Sequence, residues 1–332
     1  SQGTVGAAFA QSTANKNNII KIGIIGFLAG LAPDLDVFIR SSTDPILSLE
    51  YHRQFTHSLF FIPIGALIVT LVIFPLVKKS LSLKTVYVAS FFGYTTHGFL
   101  DACTSYGTLL FWPFSNERVT WNNISVVDPI FTIPVLVLVA TAIINRKPLF
   151  SFFAIGWMTF YLLLGFVQYE RAFLVANDIA HSRGHNPERL TLKPSFGNLI
   201  LWKSIYQYEE NFYVDAIRTA LSSTWCLGES IRMFDYQHHL PNLDLESQQR
   251  KDIERFRWFS QDYLGFDYEK SLVTDVRYSM VPNQIAPMWG LVIDVQKSKN
   301  EHAIWWTSRT LEQSQLDMFK DMLIGKTCTN SF

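Results

Sequence analysis

Two stretches constrain this chain before anything else. Leu59–Val77 runs for 19 residues, and residues 149–168 for 20, without one charged side chain. A helix needs about 20 apolar residues to cross the hydrocarbon core of a bilayer, so both runs read as membrane spans. Residues 85–100 and 129–144 are 16 residues each and become long enough with their polar flanks. Residues 19–39 are apolar up to Pro33 and then meet two aspartates. Residues 4–14 are rich in Gly and Ala (Gly6, Ala7, Ala8, Ala10), which suits a tightly packed membrane helix. The pattern predicts five or six helices within residues 1–168. No cleavable signal-peptide pattern is read ahead of them.

Charge separates this half from the rest. Residues 1–168 hold 10 Lys/Arg and 7 Asp/Glu, against 18 and 21 in residues 169–332. The second half is therefore expected to be water-soluble, with residues 169–184 as a connector and 185–332 as a smaller α+β domain. Alternating stretches predict strands within residues 190–220, 271–278 and 289–295, and residues 252–263 and 308–323 look helical. Zero net charge gives no basic face for nucleic acid, and no such partner is expected. The three cysteines fit no zinc-ribbon spacing. Cys226 and Cys328 could pair if this half is exported.

Short loops give an orientation. Lys16, Lys21, Lys78, Lys79, Lys84, Arg146 and Lys147 fall on one side of the predicted helices, against Arg40, Arg53 and Arg118 on the other. Basic loops stay cytoplasmic, so residues 40–56, residues 101–126 and the C-terminal half are expected to face the periplasm of a bacterial inner membrane.

The membrane half contains only seven Asp/Glu and three His, and six of those ten gather in three clusters at the ends of apolar runs. These are Asp34 and Asp36, His52 and His57, and His97 and Asp101. Ionisable groups are expensive at membrane depth unless they pair, bind an ion or line a wet cavity. Carboxylates with imidazoles suit a divalent metal. His97 and Asp101 are four apart, on one helix face; a buried His–Asp hydrogen bond is the plainer account of that pair. Pro33 should break the helix before Asp34 and Asp36. His52 and His57 are five apart, about 140° around a regular helix, so at least one should precede the helix, with Thr56 or Ser58 as its cap. Arg53 could hold an anion or pair with an aspartate. Thr104, Tyr106 and Asp128 could complete the site, or simply belong to an interfacial loop.

These elements resemble the YdjM-like inner-membrane family described as membrane-bound metal-dependent hydrolases. The resemblance rests on Pro33-Asp34-Leu35-Asp36, His52-Arg53, Thr56-His57-Ser58, His97 with Asp101, Thr104-Ser-Tyr-Gly-Thr, Trp112-Pro-Phe-Ser and Val127-Asp128-Pro129. It covers residues 1–135 well. A weaker likeness continues at Asn198, Trp202 and Thr274–Tyr278, similar to the long members with a C-terminal domain. It implies an integral membrane protein with a metal site and supplies no substrate. Many relatives carry a Thr-His pair where this chain has Ser1-Gln2, which leaves one ligand fewer or a role for Gln2. The order of acids and histidines is also similar, more distantly, to the zinc-dependent phospholipase C and nuclease superfamily, which would favour phosphoester hydrolysis.

The sequence thus points to a divalent-metal hydrolase, with zinc as first choice and manganese or a two-metal site as alternatives. Asp34, His57, His97 and Asp101 are the expected ligands. Asp36 and His52 are expected as second-metal ligands or a general base, and Arg53 as an anion clamp. The substrate would be a small molecule or lipid-linked, met among membrane lipids. The rival is a non-enzymatic membrane protein, a metal or proton transporter or a regulatory scaffold. A transporter would show an internal repeat and sites near mid-bilayer; no repeat is visible.

Overall fold

Small residues decide how the first helices meet. In the computed structural model, which describes residues 1–310, 312–326 and 329–330, α1 (Gln2–Ser12), α2 (Ile19–Leu31) and α5 (Leu83–Ala102) pack side by side. Gly26 sits at their closest approach: a Cβ there would lie 2.5 Å from the Gly6 carbonyl oxygen, and one on Gly93 would lie 2.5 Å from the carbonyl of Gly26. Only glycine lets three backbones come this near, the small-residue packing of membrane helices. Ala10, Ile22, Ile25, Leu81, Val86 and Ala89 fill the end of the bundle bearing the basic α1–α2 and α4–α5 loops.

Four more helices complete the N-terminal half: the single-turn α3 (Leu47–Tyr51), α4 (Ile62–Val77), α6 (Pro129–Asn145) and α7 (Leu149–Ser182). The count is therefore six long helices and one short one, close to the five or six expected. Among the described residues, two apolar segments are long enough to cross a membrane, Leu59–Val77 and the helix Leu149–Ser182. Their outer faces are apolar, with Leu71, Val72 and Leu76 on α4 and Phe153, Phe160 and Leu163 on α7 all exposed. Water would penalise so large an apolar surface; lipid does not.

The chain divides into one unit of Ser1–Ile39, Tyr51–Val167 and Phe196–Asn198, and another of Arg40–Glu50, Gln168–Ser195 and Leu199–Phe332. Residues 169–182 of the expected connector continue α7 as helix.

The second unit is built on two antiparallel sheets among the described residues. The first runs β1 (Arg189–Pro194), β2 (Leu201–Tyr208), β3 (Asn211–Thr219), β4 (Ser223–Cys226), with β5 (Ser230–Arg232) also on β3 and the terminal β10 (Thr329–Asn330) on β4. Alternation assigns its faces. Leu192, Trp202 and Ile217 pack against Ala172, Ala176 and Ile179 of α7. On the other face, Leu201 and Ala216 meet Met322 of α10 (Gln313–Ile324). The second sheet is a meander of β6 (Leu264–Asp267), β7 (Leu272–Asp275), β8 (Trp289–Val292) and β9 (Ile304–Thr307). Before it come the short α8 (Tyr236–His239) and α9 (Gln248–Phe259). Strands β1, β2, β3, β7 and β8 and helices α9 and α10 fall in or at the edge of the stretches expected from the sequence, whereas the short β4, β5, β6, β9 and α8 lie outside them; α9 begins four residues earlier because Ser247 caps it by accepting from Arg250 N–H. The proposed partner of Cys226, Cys328, lies outside the described residues.

This unit buries cations. Arg277 donates to Asp275 from Nε (2.9 Å) and Nη2 (2.7 Å). Lys203 Nζ donates to Ser279 Oγ (2.7 Å) and the Gln284 carbonyl (2.8 Å). Burial pushes the Lys203 ammonium down to about 7 from an ordinary 10.5. Its folded pKa is thus below its unfolded one, so between about 7 and 10.5 the unfolded chain binds more protons and stability rises with pH. The unit's denaturation midpoint should climb from pH 7 to pH 9, and Lys203→Met should flatten that climb. An unchanged slope in the variant would remove Lys203 as its source.

Candidate metal centre

The first pair of acids follows from a broken helix. Pro33 sits at the start of the 3-10 helix Ala32–Phe38, which continues α2 at a tighter pitch and carries both aspartates. The histidine between them comes from the 3-10 turn Phe55–His57, and Ser58 caps the turn that leads into α4 by accepting from Phe61 N–H. His57 is therefore placed before the helix, as its spacing from His52 required. Gly98 on α5 makes room for this turn: a Cβ there would collide with the His57 carbonyl oxygen. Sequence reasoning passed over that glycine, whose signal was its place beside His97.

Asp34, His57, His97 and Asp101 converge, each offering one donor atom within 4.8 Å of the others. His57 Nε2 lies 3.2 Å from Asp101 Oδ2 and 3.7 Å from Asp34 Oδ1. His97 Nε2 lies 3.3 Å from Asp34 Oδ1 and 3.5 Å from Asp101 Oδ2. Three of the four are buried; the Asp34 side chain is 45% exposed and opens the cluster to the outside.

Hydrogen bonding fixes which nitrogens face inward. His97 Nδ1 is 2.6 Å from the Gly30 carbonyl oxygen, which can only accept, so Nδ1 carries the proton. Thr56 gives its hydroxyl proton to Asp36 Oδ2 (2.8 Å) and lies 2.9 Å from His57 Nδ1, so that nitrogen is also a donor. Both neutral imidazoles then turn an Nε2 lone pair toward the carboxylates. His57 Nε2, His97 Nε2 and Asp101 Oδ2 are buried and have no hydrogen-bond partner. Buried lone pairs facing one another repel unless a cation or proton lies between them. Burial opposes positive charge on His57, yet Asp101, Asp34 and Asp36 override it and raise its pKa to about 10. The environment selects positive charge at this point, and a two-His, two-carboxylate set suits a divalent metal.

The remaining expected site residues form a layer around these four. Asp36 accepts from His52 Nδ1 (2.7 Å), Arg53 N–H (3.0 Å) and Thr56, and lies 3.2 Å from His57 Nδ1. It faces the back of His57, an orienting position and not that of a second-metal ligand or general base. His52, a quarter exposed, pairs with Asp36 away from the four ligands. Arg53 takes the pairing alternative: its Nε lies 3.1 Å from Asp101 Oδ2 and its Nη1 donates to Thr104 Oγ1 (3.0 Å). It is buried with its guanidinium 4.8 Å from the centre of the Tyr106 ring, which is not the posture of an open anion clamp. Thr104 and Tyr106 thus border the site through Arg53. Asp128 instead caps α6 and accepts from Tyr161 (2.8 Å). Gln2 does reach the centre: its Nε2 donates to Asp101 Oδ1 (2.5 Å), and its buried Oε1 has no hydrogen-bond partner.

A second group, Asp44, Asp252 and His302, gathers in the other unit. There Arg255 already supplies the positive charge, with two bonds to Asp44 (2.9 Å each) and two to Glu50 (2.6 and 2.8 Å).

Comparison with known proteins agrees with the part of the chain that holds the centre. The model of the family described as YdjM inner membrane protein matches residues 1–172. No curated protein and no solved structure matches. All four converging residues and the layer around them lie inside the matched segment, and the chain belongs to the YdjM inner membrane protein family.

Proposed function

We propose that the protein is a divalent-metal-dependent hydrolase of phosphoester or lipid-linked substrates, working at the periplasmic face of the bacterial inner membrane. One observation carries this reading: four donor side chains from three separate segments converge on one point, with His57 Nε2, His97 Nε2 and Asp101 Oδ2 buried and without a hydrogen-bond partner and the Asp34 carboxylate exposed beside them. Asp34, His57, His97 and Asp101 would hold the metal, and zinc is the first choice for that mixture, with manganese next. A divalent cation there supplies Lewis acidity and lowers the pKa of a water it binds. The chain's own residues do the rest. Asp36 fixes His57 in its Nε2-inward tautomer, as outer carboxylates do at many metal sites. The Gly30 carbonyl does the same for His97. Arg53 restrains Asp101, and the exposed edge at Asp34 admits substrate and water. Purified protein loaded with zinc or manganese should hydrolyse a panel of phosphoesters, and His57→Ala should abolish the activity. A panel with no turnover beyond that variant would defeat the hydrolase assignment.

The periplasmic placement rests on the seven basic residues in the loops at the opposite end from the cluster. Cysteine introduced at Ser115 should react with a membrane-impermeant thiol reagent in intact cells, whereas one at Lys79 should be protected. The reverse pattern would invert the topology.

A further inference from the structure

The uncharged run of α7 ends at Gln168, and the next charged residues are Glu170 and Arg171. Twenty residues at 1.5 Å each are about 30 Å, the thickness of a hydrocarbon core, so Gln168 marks the bilayer surface. From this level α7 holds one end of the first sheet. Gln168 Nε2 donates to the carbonyls of Leu199 (3.1 Å) and Thr219 (2.7 Å), and Arg171 Nη2 donates to that of Ala220 (2.6 Å). Gln168 and Arg171 are about 5 Å apart along the helix axis, and a headgroup layer is about 5–8 Å deep. The β3–β4 turn, residues 220–222, is thereby tied at headgroup level.

The two ends of this sheet differ in chemistry. At the end bonded to α7, the connections 195–200 and 220–222 contain no charged residue. Ile200 there is 37% exposed, and Leu221, at the tip of the β3–β4 turn, is fully exposed. Thr219 N–H donates to the Ile200 carbonyl (2.7 Å), which keeps the two apolar positions at the same edge. The opposite end carries Glu209 and Glu210 in the β2–β3 turn, and Glu188, which accepts from Gln207 Nε2 (2.8 Å). The eight residues of β2, at about 3.4 Å each, put that acidic turn about 27 Å away. A single exposed leucine is ordinary on a protein surface. This one is tied to the end of a membrane span, on the uncharged end of a sheet whose other end is acidic.

We infer that the β3–β4 turn is a membrane-insertion element: Leu221, with Ile200 at the same edge, enters the leaflet from which α7 emerges and seats the sheet-rich unit on the bilayer surface. The partner is lipid. Gln168 and Arg171 are the positioning residues, because their bonds to the turn's carbonyls set its height on α7. Burial of a leucine side chain in hydrocarbon is favourable enough for the inserted turn to outnumber the withdrawn one by about tenfold or more. Nothing in this depends on the metal centre or on the hydrolase reading.

The test attaches a nitroxide spin label at Leu221→Cys in the full-length protein, one copy per nanodisc of phosphatidylethanolamine and phosphatidylglycerol. The side chain is fully exposed in the protein, so the substitution leaves the fold intact. Leu71→Cys, on the exposed face of α4, gives the lipid reference, and Leu245→Cys, exposed in the loop ahead of α9, gives the water reference. Collisions with molecular oxygen, which concentrates in hydrocarbon, should dominate at Leu221 as they do at Leu71. Collisions with a water-soluble nickel chelate should be about tenfold rarer at Leu221 than at Leu245. A Leu221 label as open to nickel as the Leu245 label would overturn the inference by leaving the turn in water. A label shielded from both reagents would also overturn it, since it would place protein and not lipid on the turn.

Discussion

His97→Ala should strip the protein of its divalent cation while leaving the helical bundle folded. The imidazole offers Nε2 to the cluster and anchors itself through Nδ1 to the Gly30 carbonyl. Its removal takes away one of four donors and frees the carboxylates of Asp34 and Asp101 to turn away. Loss of an orienting partner alone typically costs about 10–100-fold in metal affinity, and loss of a ligand should exceed that. The structural cost is smaller: one carbonyl loses its donor, about 1–3 kcal/mol. The packing of α1, α2 and α5 through Gly6, Gly26 and Gly93 does not involve the imidazole. The check is metal content together with circular dichroism of detergent-solubilised variant. Retained metal with native helicity would remove His97 from the ligand set.

Asp36→Asn should weaken metal binding by about 10–100-fold without any change in the four ligands. Asp36 is buried and faces the Nδ1 side of His57, where its charge holds the imidazole with its lone pair inward. The amide keeps the shape but can point NH₂ at Nδ1, which favours the wrong tautomer. Were Asp36 a ligand of a second metal, its loss would lower the stoichiometry and not only the affinity. Titration with zinc against a competing chelator separates the two: an unchanged stoichiometry with a weaker constant supports orientation, and a lost equivalent supports a second metal.

The site was legible because ionisable residues stand out against an apolar sequence. Asp34, His57, His97 and Asp101 each had a cost at membrane depth that only a partner could offset, and the structure brings them together. The roles of their neighbours were not legible, since they depend on local backbone pitch. Asp34 and Asp36 are two residues apart, and only the 3-10 turn after Pro33 sends one to the inner and one to the outer nitrogen of His57. Arg53 has a left-handed backbone (φ 64°) that turns its guanidinium onto Asp101 and Thr104; nothing in a single sequence announces that. In the second unit, alternation located β1, β2, β3, β7 and β8, but β4, β5, β6 and β9 are three or four residues long, too short to show a period. The order β1-β2-β3-β4-β10 depends on pairing between distant segments and could not be read from any one of them.

The family match reaches residue 172, so the sheet-rich second unit is explained by its own packing alone. Burial holds the Lys193 and Lys203 ammonium groups below their ordinary value, which makes it a unit whose interior is sensitive to protonation.

Elemental analysis of the wild-type protein, purified in detergent without added chelator, tests the central claim most directly. The four-residue centre predicts a stoichiometric divalent metal, with zinc or manganese dominant, that is lost in His97→Ala and in Asp101→Asn. Wild-type protein that carries no divalent metal and gains none on dialysis against zinc or manganese, or variants that carry as much as the wild type, would contradict it.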